Sequence, residues 1–261
     1  KLCNVPSLKT IWPNLARPKN ALILAVQHGD NSVLDLLLSE GLDIHETDRN
    51  SWTALTYASF YNNKPAIDLL LQRGAITDMS KFCTGMLHLA VIRDNIELAR
   101  RMLAAGADVN EVETPYCMVP LMRVESLTMA RMLCEEFKAD AKINDARGMN
   151  ALFHLQAHPW DDRKTAIFEY FVKQGADVTA TTPIGMNILD HAVQLSLGKK
   201  VKFLLQHYPK LANKRENEWT ALHWACQDSP IMDNVKELIC HGINASTITT
   251  THPPGSWTPW D

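Results

Sequence analysis

At 261 residues the chain is long enough for one large domain, two ordinary ones or a repeat array, and 46% hydrophobic against 21% charged residues favours a packed core over disorder. Lys plus Arg number 26 against 29 for Asp plus Glu, so a net charge of −3 supplies no basic stripe for nucleic acid. The longest apolar runs, 21–26 and 34–38, fall far short of the roughly 18 residues that cross a bilayer, so no membrane partner is expected.

In chain order, residues 1–17 read as a leader or cap, and the stretch 1–10 lacks the apolar core of a signal peptide. Repeats begin at residue 20. Segments 20–25 (NALILA), 53–58 (TALTYA), 85–90 (GMLHLA), 119–124 (VPLMRV), 150–155 (NALFHL), 187–192 (NILDHA) and 220–225 (TALHWA) align, and TPWD at 258–261 starts an eighth. Their third positions are Leu22, Leu55, Leu87, Leu121, Leu152, Leu189, Leu222 and Trp260, spaced by 33, 32, 34, 31, 37, 33 and 38 residues. A period near 34 is that of a two-helix unit, which cannot bury its apolar faces without stacking on neighbours. A second helix follows each motif, as in 33–41, 66–74 and 98–106, each ending at a glycine 19 residues beyond the leucine. Gly41, Gly74, Gly106, Gly175 and Gly242 are the expected helix stops, because glycine accepts the left-handed conformation there. The six cysteines include no CxxC pair, so free thiols are expected, in a reducing cytoplasm or nucleus.

The TPLHxA-like motifs, followed by tails such as Ala107-Asp-Val-Asn110, resemble the ankyrin-repeat family over residues 18 to 261. The resemblance implies an all-α ankyrin-repeat solenoid of seven helix-turn-helix units plus a truncated eighth. Residues 18–244 hold the seven, and 245–261 start the eighth or form a loop cap. It also implies a protein–protein interaction scaffold. Because the chain starts at Lys1 and stops inside a motif, it reads as a fragment of a longer protein. The irregular, tryptophan-bearing units also resemble those of fungal ankyrin proteins.

Several units depart from the pattern; the seventh carries one extra residue around Ser229-Pro230 and the eighth has a long pre-turn, 245–256. In the fourth, Lys138 stands where glycine belongs and the first helix must be short. In the fifth, the insertion 156–163 replaces a short turn and Pro159 ends the first helix; in the sixth, Tyr208-Pro209 replaces the glycine.

Ten histidines raise the question of catalysis. His88 and His223 sit at the motif's fourth position, which in the family is structural. HExxH, GxSxG and phosphate-loop patterns are absent. One constellation deserves weighing. His154 and His191 take equivalent places in adjacent repeats, and Asp190 with His158 and Asp161 of the insertion completes a candidate catalytic or metal site. The plainer reading is a surface loop with Trp160 as a hydrophobic plug, and no cofactor or metal is expected.

The binding signal lies elsewhere. In ankyrin repeats the residue before the motif points from the turn toward the concave face. Here that series contains Trp52, Met118, Met149, Met186, Trp219 and Trp257, and Phe60 with Tyr61 extends it at the end of a first helix. Binding surfaces favour Trp and Met. The expectation is a non-catalytic monomer that holds one protein along this stripe. Short charge pairs such as Asp161-Asp162 and Lys199-Lys200 are expected on solvated helix faces.

Overall fold

The computed structural model describes residues 21–50, 52–75, 85–155, 160–213, 220–226 and 232–243. The chain divides into two compact units between Glu113 and Thr114. Among the described residues there is no sheet, only isolated bridges joining Thr47 to Thr53 and Thr181 to Asn187.

In the first unit, helices come in pairs: α1 (Ala21–His28) with α2 (Asn31–Ser39), α3 (Ala54–Phe60) with α4 (Lys64–Gln72), and α5 (Met86–Ile92) with α6 (Ile96–Ala104). Local chemistry sets these ends. The side chains of Asp30, Asn63 and Asn95 accept from Val33 N, Ala66 N and Leu98 N, starting α2, α4 and α6. Each such cap is worth about 1 kcal/mol. Asn63 also donates its amide to Asn31 Oδ1 at 3.3 Å, tying one unit's second helix to the previous one. First helices lie side by side, α1 on α3 and α3 on α5. Helix α4 buries Ala66, Ile67, Leu70 and Leu71, one stripe at helical spacing, against α3 and α2.

The second unit keeps the pairing but distorts it. Its first helix is a 3-10 turn (Pro120–Arg123), followed by α7 (Leu127–Arg131) and a π-helical turn (Met132–Glu136). Lys138 takes the left-handed conformation (φ 62°) in place of glycine, and its ammonium donates to Glu135 O. Then come α8 (Ala151–His154), α9 (Asp162–Lys173), α10 (Ile188–Gln194), α11 (Gly198–His207), a 3-10 turn (Pro209–Asn213), α12 (Ala221–Cys226) and α13 (Met232–Cys240). First helices again stack in order, α8 on α10 and α10 on α12, while α9 packs on α7 and α13 on α11.

All seven motif leucines from Leu22 to Leu222 are buried, which is why the period is visible in the sequence. Phe153, Phe168 and Phe171 fill the second unit's core. The expected stops hold: Gly41, Gly74, Gly106, Gly175 and Gly242 all have positive φ. Cys117, Cys134 and Cys240 are free thiols. No helix among the described residues is long and apolar enough to cross a membrane.

Candidate functional site

Three turns share one construction. In each, a backbone N–H donates to the carbonyl four residues on, and the side chain of the first residue accepts the return N–H. Asp48 and Trp52, Asp145 and Met149, and Thr182 and Met186 form these pairs. Closed this way, the turn aims the last side chain back at the stack. Thioethers fit there, so Met149 and Met186 are buried, at 8 and 4% exposure; Met118, outside these turns, is buried too, at 5%. The solvent-facing methionine stripe expected from the sequence is therefore corrected: these residues fill space beneath the turns.

The indole of Trp52 is only partly buried, and it gathers other rings. Its centroid lies 5.2 Å from that of Tyr57 and 5.6 Å from that of Phe60; Phe60 stands edge-on to Tyr61 at 5.3 Å. Phe60 is 41% and Tyr61 51% exposed, and the Arg93 guanidinium sits 5.8 Å over the Phe60 ring. Ile92 occupies the next repeat's equivalent of Phe60 and is also exposed. Tyr57 donates its hydroxyl to Asp48 Oδ2 at 2.9 Å. Burial pushes the Asp48 carboxyl up, but the N–H of Trp52, the Tyr57 hydroxyl and the N–H of Asn50 outweigh it and hold it below its usual value. The cluster thus rests on a turn whose polar groups are satisfied. Trp219 and Trp257 lie outside the described residues.

In the alternative constellation each described residue has a structural contact, and His154 and Asp145 lie near enough to His191 for their charges to act on it. His154 Nε2 meets Asp145 Oδ2 at 3.1 Å, within its own repeat. Asp161 caps α9 through Lys164 N and pairs with Arg163. Asp190 accepts from Asn187 N in a capping box at the start of α10, and burial raises its pKa to about 7. His191 packs on Phe153 at 5.6 Å, and burial lowers its pKa to about 3, so it is neutral. His158 lies outside the described residues. Among the described residues, no group of three or more His, Cys, Asp or Glu is placed to hold a metal.

The sequence reading missed Lys200, which it put on a solvated face with Lys199. Lys199 is exposed, but Lys200 is wholly buried. Its ammonium donates to Leu152 O and Leu155 O, both at 3.0 Å, and lies 5.4 Å from the Trp160 ring centroid. Helix α8 has only four residues, so these carbonyls lack the amides that a longer helix would supply. Lys200 replaces them. The available signal was its spacing: Lys200 precedes Leu204 by one helical repeat of four, on the buried stripe.

The profile of ankyrin repeats, in three copies, matches residues 22–113 and 160–249. The chain belongs to the ankyrin-repeat family. It is 30% identical over 154 residues to the ankyrin repeat protein FPV031 of fowlpox virus (strain NVSL), a match covering 56% of this chain and 45% of that one. It is 33% identical over 103 residues to the ankyrin repeat protein YahD of Escherichia coli (strain K12), covering 36% and 51%. The chain therefore spans about half the length of the curated relatives it matches. Among solved structures it is similar to EF0377, an ankyrin repeat protein, at TM-score 0.56 and 19% identity, covering 74% of this chain and all of that one. A chain in the structure of the predatory endopeptidase Bd0816 of Bdellovibrio bacteriovorus in complex with immunity protein Bd3460 gives TM-score 0.57 at 22% identity, covering 72% and 97%. These two likenesses show the fold.

Proposed function

We propose that the chain is a non-catalytic scaffold that seats one protein partner along the turns and first helices, with Phe60 and Tyr61 as its anchors. Ankyrin repeats generally serve protein–protein interaction. The observation that carries this reading is the ring cluster of Trp52, Tyr57, Phe60 and Tyr61, half exposed and braced from below by Asp48. Exposed aromatic rings next to an arginine are the composition of interface hot spots. The endopeptidase–immunity protein complex, which contains a chain of this fold, supports a protein as the partner. In the same reading the array has seven units and the start of an eighth, is monomeric, and works in the cytoplasm or nucleus. Trp219 and Trp257, outside the described residues, are counted with these anchors on sequence position alone.

Native mass spectrometry of the chain purified from its own host extract tests this. The expected result is a co-purifying protein that is lost from the Phe60→Ala/Tyr61→Ala variant while urea denaturation shows it still folded, its stability lower by roughly 1–3 kcal/mol for the lost ring contacts. Undiminished capture by that variant overturns the assignment of the anchors. A bound small molecule or metal lost after His154→Ala overturns the scaffold reading itself.

A further inference from the structure

The anchors in the first unit are spaced by the repeat itself. Phe60 ends α3 and Ile92 ends α5 at the same station, on neighbouring helices, and both are exposed. In the repeat before, Leu24 is exposed on α1, about one helical turn ahead of that station. Packed helices lie about 8–10 Å apart, so apolar groups recur along the array at that interval. A β-strand returns a side chain to one face about every 6.7 Å, out of step with it. A polyproline II segment has three residues per turn and rises about 3.1 Å for each, so every third residue returns after about 9.3 Å. On an α-helix the seventh residue returns after about 10.5 Å, just beyond the interval.

Polarity separates the two that remain. The charged groups touching the rings are already engaged: Asp48 Oδ1 accepts from the N–H of Asn50 and of Trp52, its Oδ2 accepts from Tyr57, and the Arg93 guanidinium lies over Phe60. Donors are left over. Neither Trp52 Nε1 nor the Tyr61 hydroxyl has a hydrogen-bond partner among the described residues. Both belong to rings in contact with Phe60, at 5.6 and 5.3 Å between centroids. An α-helix spends its carbonyls internally along its length and has none to offer such donors. Polyproline II makes no internal hydrogen bonds, so its carbonyls are free to accept, and its prolines bring no N–H that must be satisfied. A neutral surface of ring faces and spare donors is therefore complementary to a chain of flat rings and spare acceptors.

We infer that the ring cluster binds an uncharged, proline-rich segment of the partner in the polyproline II conformation, laid across α1, α3 and α5. Every third residue rests on Leu24, Phe60 or Ile92, and carbonyls between them accept from Trp52 Nε1 and the Tyr61 hydroxyl. Because such a segment is ordered before it binds, little chain entropy is lost on docking. This inference rests on the scaffold reading and adds the chemistry of the partner to it.

The test titrates the 261-residue chain into a fluorescein-labelled peptide of three Pro-Pro-Leu triplets. Saturable anisotropy is expected, with a shift of the Trp52 indole N–H resonance, assigned by its loss in Trp52→Phe. Three Gly-Gly-Leu triplets keep the leucines without the preformed helix and should bind about tenfold more weakly. Tyr61→Phe keeps the ring and removes the donor, and should weaken the proline peptide about threefold to tenfold, the worth of one hydrogen bond. Phe60→Ala should weaken it about tenfold or more. Absence of saturation, equal binding of the glycine peptide, unchanged affinity in Tyr61→Phe, or tighter binding of a helical peptide with leucine at every seventh position would each overturn the proposal. If the proline peptide fails while a co-purifying protein is still lost from Phe60→Ala/Tyr61→Ala, the partner's chemistry is wrong and the scaffold reading stands. If no co-purifying protein depends on those rings, the scaffold reading itself falls.

Discussion

Tyr57 and His154 hold the same station in their repeats, and each bonds the carboxylate nine residues upstream, Asp48 at 2.9 Å and Asp145 at 3.1 Å. The chemistry of the partner changes while the geometry is kept. The pairs differ in depth, since Asp145 has no exposed side-chain surface and Asp48 is partly exposed. Asp145→Asn should therefore destabilise by roughly 1–3 kcal/mol, the range for hydrogen bonds to a buried charged group. Asp48→Asn should lose clearly less, because water screens its pair. Urea denaturation of the two variants checks this, and equal losses would contradict it.

Asp190 gives the chain an acid-side pH dependence. Burial raises its pKa to about 7, whereas an unfolded aspartate titrates near 3.9. The folded state therefore holds the extra proton between these values. The stabilisation is full below about pH 4 and is lost as pH rises through about 7. His191, whose pKa burial lowers to about 3, acts in the opposite sense below about pH 6.5, so the Asp190 effect is read as a difference: urea midpoints of Asp190→Asn should rise more steeply from pH 4.5 to 7.5 than those of the parent. An unchanged slope in the variant would contradict this.

Lys200 acts in the opposite sense. Burial lowers its pKa to about 7, against about 10.4 when unfolded. Between these values the unfolded chain binds more protons, so stability rises with pH from about 7 to about 10 and the contribution is lost as pH falls through 7. Lys200→Met should abolish this rise, while Lys199→Met on the same helix should keep it. Midpoints at pH 7 and 9.5 suffice to decide.

Gly148 and Gly106 both have positive φ, 74° and 99°. A methyl group on Gly106 meets nothing within 4 Å, but on Gly148 it stands 3.2 Å from Thr181 O and 3.3 Å from Pro183 Cδ. Gly106→Ala should then cost about 1 kcal/mol, the left-handed penalty alone. Gly148→Ala should cost more, since the turn at 145–149 must also move. Thermal melts of the pair report the difference.

What the sequence disclosed follows from period. Leu22 through Leu222 repeat because each is a core contact, and the glycine stops repeat because each ends a helix with positive φ. Side-chain direction at the turns was hidden, because it depends on how Asp145 closes onto Met149 and Thr182 onto Met186. His154 and His191 were correctly aligned, but their partners lie across a turn or inside the core, where spacing is silent. Lys200 was masked by Lys199: adjacent lysines look like one solvated face, yet on a helix they point about 100° apart.

The reach of Lys200 has a consequence for synthesis. The carbonyls it satisfies belong to residues 45 and 48 positions earlier. At about 5–20 residues per second, a nascent chain waits several seconds between making helix α8 and making its cap. Throughout that interval the four-residue helix lacks the cap that Lys200 gives its carbonyls, so the end of an early segment is completed by a residue not yet translated.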